Sequence, residues 1–291
     1  DVSSALGMAF IFQGAESFAT DISKWDVSRV NDMQGMFWTA ASFDGDMSKW
    51  DVSSVKNMYS MFRTASAFNG DISKWDVSSV EDMYGMFWGA VSFNGDISKW
   101  DVRHVRRMYG MFCWAVSFNG DISKWNMSSV QDTRRMFADA TAFRGDVAKW
   151  DISGVIKMDH MFWYAKSYGQ TLCRGAWSSS KASKIKMFAG SSARIWVGKC
   201  TVIPSREHLV PAVYTCLASS PKNGNCIEKT AYAPMRDWDV SSVLDMSNMF
   251  HMCTAFNCDI SRWDVSRVED MTQMFHEAAA FNSDLSNWDV S

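Results

Sequence analysis

Tryptophan falls at residues 25, 50, 75, 100, 125 and 150, and again at 238, 263 and 288. A fixed period of 25 residues carried along a chain constrains the fold more than any single motif, because one unit is too small to bury its own apolar side chains. It buries them on the units before and after it, and the units stack.

Within one unit the apolar positions are Ile22, Trp25, Val27, Val30, Met33, Met36, Phe37, Ala40 and Phe43. The first part, I-S-K-W-D-V-S-S-V, has the spacing of a leucine-rich repeat, and Trp25 and Val27 alternate as a half-buried strand does. The second part changes period. Val30, Met33, Phe37 and Ala40 are three or four residues apart, which at 100° per residue gathers them on one side of a helix. Ser28, Ser53, Ser78, Ser128, Ser153, Ser241 and Ser266 stand just ahead of that pattern, as helix N-caps would. Gly45, Gly70, Gly95, Gly120 and Gly145 mark the return turn, where a left-handed backbone is expected. The expected fold is an α/β solenoid: a leucine-rich-repeat-like stack of 25-residue strand–helix units, with an irregular, disulfide-containing cap or insert.

The insert is where the rhythm breaks. All four prolines (Pro204, Pro211, Pro221, Pro234) and four of the seven cysteines (Cys173, Cys200, Cys216, Cys226) fall between about Lys166 and Arg236. Tyr168, Trp177, Met187 and Phe188 still carry a faded unit. The expected organisation is a first array over 1–165, a degenerate cap repeat and spacer over 166–236, and the start of a second array over 237–291. Because the chain opens on DVSS and closes on NWDVS, the same point in the unit, it reads as a piece of a longer array.

Composition excludes several classes. The chain has 291 residues, 47% of them apolar, with 29 basic against 32 acidic side chains. A net charge of -3 gives no basic field for nucleic acid. No apolar run approaches the roughly 18 to 20 residues that cross a bilayer, so no transmembrane segment is expected in this stretch. No phosphate loop, nucleophile elbow or His–Asp–Ser set stands out, and carboxylates recur in every unit instead of being singled out. The expectation is a non-enzyme without a cofactor or a metal. A zinc site from His251, Cys253, Cys258 and His276 is set aside because Cys253 takes an inward position and the histidines outward ones.

The unit F-N-G-D-I-S-K-W-D-V-S-S-V-x-x-M-x-x-M-F-x-x-A closely resembles the repeats of the BspA-family surface proteins, over about three quarters of the chain. The resemblance implies a leucine-rich-repeat-like solenoid, display outside the cell or on its surface, and adhesion or structural assembly with other proteins or with copies of the same chain. It brings no catalytic residues. The TLCRGAW segment resembles a cysteine-bearing terminal unit, which implies a Cys173–Cys200 disulfide. Four cysteines allow three pairings, and Cys216 with Cys226 completes this one. Cys253 and Cys258 are a further candidate pair, and disulfides require an oxidising compartment.

Candidate binding residues lie on the outer face of the expected helix. Positions equivalent to 34 and 38 carry Tyr59, Tyr84 and Tyr109, and Trp38, Trp88 and Trp163, with Tyr84 and Trp88 expected to meet as i, i+4 neighbours. An aromatic stripe fits a partner surface or packing on the adjacent helix. Arg103, Arg106, Arg107, Arg134 and Arg135 form a basic patch suited to an acidic partner or sulfated polysaccharide, or simply a solvated face. The alternative function is carbohydrate recognition through the exposed aromatics or the ladder of Lys24, Asp26 and Ser28 and their repeats. Asn126, in Asn126-Met127-Ser128, is a glycosylation candidate.

Overall fold

The computed structural model describes residues 2–172, 175–195, 203–219 and 234–290. They form two compact units, one of residues 1–170 and 179–194 and the other of residues 171–178 and 195–291.

In the first unit every 25-residue segment is a coil laid parallel on the next. One parallel bridge per coil runs through Gly7, Asp32, Asn57, Asp82, Arg107, Asp132, Lys157 and Ser183 without a gap. The last step spans 26 residues, so the faded unit around Met187 and Phe188 is a true final coil. The expected spacer therefore divides, with residues 179–194 belonging to the first stack.

No regular coil of this unit contains a helix; the segment expected to be helical is a run of tight turns. Met33, Gly35, Phe37 and Thr39 donate their N–H groups to the carbonyls of Asn57, Tyr59, Met61 and Arg63 one coil ahead, at 2.7–2.9 Å. The alternate residues Met36, Trp38 and Ala40 turn back to Met33, Gly35 and Phe37 at 3.0–3.2 Å. Half of the amides thus close turns and half tie coils together. The first and third of these turns have left-handed backbone at their third residue, supplied by Gly35 (φ +55°) and Thr39 (φ +60°) and by the equivalent residues in later coils.

Spacing explains why the helix gives way. Packed helices need about 8–10 Å between axes, whereas equivalent side chains of successive coils repeat at strand-like distances, 4.7 Å between the stacked rings of Tyr59 and Tyr84. A ribbon of turns fits that interval. The inward set is unchanged, since turns of three or four residues repeat side chains at the same interval as a helix. Val30, Met33, Met36, Phe37, Ala40 and Phe43 are all fully buried.

The repeated residues each make one contact to the neighbouring coil. Trp50, Trp75, Trp100, Trp125 and Trp150 donate Nε1–H to the carbonyls of Ile22, Met47, Ile72, Ile97 and Ile122 at 2.9–3.2 Å. Phe37 stacks on Phe43 within its coil at 3.9 Å and on Phe62 of the next at 5.5 Å. Asn94 accepts the backbone N–H of Asn119 through Oδ1, and Asn69 that of Asn94, both at 2.8 Å. The Asn of F-N-G-D is thus a rung between coils.

Two expectations about punctuation are corrected. The serines do not cap helices: Ser28 donates both N–H and Oγ–H to Asp26 Oδ1, at 3.1 and 2.7 Å, closing a side-chain turn. The return glycines are not left-handed. They are there for want of volume, because a Cβ on Gly145 would stand 2.7 Å from the Phe143 ring.

The connecting elements are β1 (Thr171–Leu172), α1 (Gly175–Ser179), β2 (Arg194–Ile195), α2 (Arg206–Ser219) and a 3-10 turn (Met235–Asp237), with β1 and β2 paired. In the second unit α2 shares one core with the first coil of the second stack: Leu209, Ala212, Val213 and Cys216 pack with Trp238, Val240, Val243, Met246 and Phe250. Arg206 fixes it from outside, reaching Asp245 Oδ1 at 2.9 Å and the Ser247 carbonyl at 2.7 Å. Coil pairing then continues, with Asp245 bridged to Asp270 and Trp263 Nε1–H bonded to the Met235 carbonyl at 2.8 Å.

Candidate functional site

The outer columns of the first stack gather most of the residues singled out in the sequence, though through different contacts. Tyr59, Tyr84 and Tyr109 form a ladder of stacked rings at 4.7 Å per step. Trp88 meets Tyr109 at 6.0 Å, so Tyr84 and Trp88 both rest on the next coil, not on each other as a helix would have placed them. Burial lifts the Tyr84 phenol above its ordinary value, its stacked neighbours adding to the effect. The six aromatics Trp38, Tyr59, Tyr84, Trp88, Tyr109 and Trp163 are half-buried.

Cations lie among these rings. The Arg63 guanidinium lies over two indoles, 5.0 Å from Trp38 and 4.5 Å from Trp88, a favourable cation–π arrangement. Arg134 lies 5.1 Å from the Tyr109 ring centre and holds Asp132 at 2.6 Å. Arg135 is 6.0 Å from Trp163. The stripe is therefore largely spent on itself, because the ring faces that a ligand would use are covered by other rings and guanidinium groups.

The basic patch is likewise countered. Arg103 pairs with Asp101 at 2.8 Å and Arg107 with Asp82, while Arg106 stays exposed. Position 32 alternates in sign through Asp82, Arg107, Asp132 and Lys157, which favours the observed register of coils.

The carboxylate rows follow one rule. Asp21, Asp46, Asp71 and Asp96 each accept the N–H of the serine two residues on, at 2.9 Å. Those hydrogen bonds hold the carboxyls below their ordinary value, with backbone and hydroxyl donors of Ser23, Ser48, Ser73 and Ser98 as the main causes. Asn126 occupies the Asp26 slot, is exposed, and accepts both the N–H and the Oγ–H of Ser128, at 3.1 and 2.7 Å.

Among the cysteines, Cys216 is buried on α2 and disulfide-bonded. Cys113, Cys253 and Cys258 are free thiols. The candidate Cys253–Cys258 pair is therefore not formed: the two take the Ala40 and Gly45 slots, and Cys258 is fully buried. Burial pushes Cys258 and Cys113 up to about 12. Cys173, Cys200 and Cys226 lie outside the described residues, so the expected Cys173–Cys200 and Cys216–Cys226 pairings do as well. His251 and His276 stack at 5.0 Å, and no cluster of metal-ligating side chains occurs among the described residues.

Four residues of the outer columns escaped sequence reading: Arg63, Trp114, Asp139 and Tyr164. Arg63 takes a column held by Trp38 and Trp88 in the coils on either side. The other three replace Thr39, Thr64 and Gly89 in the next column, and a break in a column's residue type is the signal that finds them.

The contacts define a repeat protein built from turn-rich coils that pair in parallel. Residues 6–115, 93–195 and 224–291 match the family described as "Mycoplasma protein of unknown function, DUF285", and the chain belongs to that family. No curated protein and no solved structure matches the chain.

Proposed function

We propose that the chain is a non-catalytic repeat protein of the BspA type, displayed at a cell surface or outside the cell, whose stacked coils form a solenoid. Its work is adhesion or assembly with other proteins or with copies of itself. The observation that carries this reading is how the polar groups of the stack are used. Carboxylates in coil after coil close turns on neighbouring serines, and most arginines of the outer face are paired or stacked, so the chemistry maintains a long regular surface. The buried disulfide of Cys216 supports an oxidising compartment. No helix among the described residues is long and apolar enough to cross a membrane.

The test has two parts. Light scattering and particle imaging of the non-reduced chain over a concentration series should give ordered multimers, and labelling of intact cells with a membrane-impermeant reagent should reach the protein. A strict monomer sealed inside the cell would overturn the reading.

A further inference from the structure

The column of residues equivalent to Thr39 runs Gly14, Thr39, Thr64, Gly89, Trp114, Asp139, Tyr164 and Gly190, all at positive φ. Left-handed backbone costs a residue with a Cβ roughly 1–2 kcal/mol, and for a bulky side chain it is a genuine outlier. Trp114 (φ +60°) and Tyr164 (φ +51°) accept that conformation and yet stay 52% and 45% exposed. Neither returns the cost through burial. The turn imposes that backbone in every coil, so what sets these two apart is the large exposed aromatic placed on it, a combination also found at ligand clamps.

Between the two lies Asp139. The N–H of Trp114 bonds to Ala138, that of Asp139 to Trp163 and that of Tyr164 to Ala189, at 2.7–2.8 Å, so the three residues stand in register on successive coils. Their attachment points span two coil spacings, roughly 10 Å. Asp139 Oδ2 is buried and has no hydrogen-bond partner. Burial raises the carboxyl above its ordinary value, and Arg135 and Lys166 both act electrostatically to lower it. With two cations already acting on the carboxyl, a cationic ligand gains little there. A neutral ligand that donates hydroxyl hydrogens loses nothing.

We propose that Trp114, Asp139 and Tyr164 form a subsite for a neutral saccharide. The apolar C–H face of a sugar ring packs on the exposed indole, a hydroxyl donates to Asp139 Oδ1, the carboxyl oxygen that is not buried, and Tyr164 supports the next ring of the glycan. Trp114 differs from the Trp38–Tyr109 stripe in that no other ring or guanidinium group among the described residues packs on it, whereas Tyr164 meets Trp163 edge-on at 4.7 Å and lies over Gly190. The inference rests on reading the chain as a non-catalytic surface protein, and it names a ligand class for that surface.

Isothermal titration of the full chain with cello-, chito-, xylo-, manno- and malto-hexaose, each to millimolar concentration, tests it. At least one sugar should bind, and Trp114→Ala and Asp139→Asn should each weaken it about tenfold or more. Tyr214→Ala, an exposed aromatic on α2, should leave binding unchanged. Trp114→Gly should abolish binding while raising Tm, because glycine relieves the left-handed strain as Gly89 does one coil earlier. Lack of binding to all five sugars would overturn the proposal, as would binding indifferent to Trp114. So would a fall in Tm for Trp114→Gly, which would make the indole a structural residue. Those failures would leave the multimer and cell-labelling results standing, whereas breakdown of a bound sugar would overturn the non-catalytic reading instead.

Discussion

The inward and outward columns of the first stack obey different rules, although both repeat every 25 residues. Inward, the residue type is nearly fixed: the Phe37 column continues as Phe62, Phe87, Phe112, Phe137 and Phe162, all fully buried. Outward, the column of Thr39 runs through threonine, glycine, tryptophan, aspartate and tyrosine on an unchanged backbone. An inward side chain must fit its equivalent one coil before and one coil after, so a change of shape is felt by three coils at once. An outward side chain answers mainly to solvent. Repetition therefore reports packing, and a function peculiar to this chain belongs in the columns that vary.

The sharpest way to break this comparison is to truncate neighbours from the two sets. Phe87 stacks on Phe93 at 3.9 Å, Phe62 at 5.6 Å and Phe112 at 5.7 Å. Phe87→Ala should lose about 3–5 kcal/mol in chemical denaturation, as large core truncations do. Trp88→Ala, one residue on, should lose about 1 kcal/mol, the scale of a surface cation–π contact with Arg63. Equal losses would mean that the outer columns are a second core.

Between these extremes lies the residue that first revealed the repeat. Trp100→Phe keeps most of the ring but removes one of the two donors to the Ile72 carbonyl, which keeps the backbone N–H of Trp75 at 3.2 Å. The lost hydrogen bond costs about 0.5–1.5 kcal/mol, and the indole volume taken from the core adds to it. A loss under about 0.5 kcal/mol would show that the indole N–H contributes nothing.

Much of this was legible in the sequence, and the part that was not has a physical reason. The spacing of Val30, Met33, Phe37 and Ala40 identified the buried residues, and all four are fully buried. It did not identify the backbone, because tandem turns closed by i→i+3 bonds repeat side chains at nearly the helical interval. Glycines were the available sign. Gly35, Gly85, Gly89 and Gly110 fall inside the expected helix, where glycine costs about 1 kcal/mol relative to alanine, and all four have positive φ. Ser60 and Thr39 in equivalent places hid the pattern. At the outer surface, the sequence identified Trp88 and Tyr109 as outward aromatics. It could not show that Arg63 and the adjoining coils cover them, because those contacts join residues about 25 apart.

The smallest expected effect concerns the carboxylate rows. Asp71 and Asp96 lie below their ordinary value in the folded chain, chiefly through hydrogen bonds from Ser73 and Ser98, with Asp71 itself opposing the shift at Asp96. A carboxyl depressed in the folded state stabilises above its unfolded value, near 3.9, and loses that contribution as pH falls through the lower folded value. Tm should therefore drop between pH 5 and about pH 3. Asparagine at these positions should remove part of the drop while leaving Tm at pH 7 nearly unchanged, because an amide oxygen accepts the same serine N–H. The chain already contains that substitution in a related slot, where Asn126 accepts from Ser128 with the geometry of Asp26 and Ser28. If the Asp71→Asn, Asp96→Asn double variant were as acid-sensitive as the parent, the rows would contribute through their turns alone. Their charge would then be free to serve the surface and not the fold.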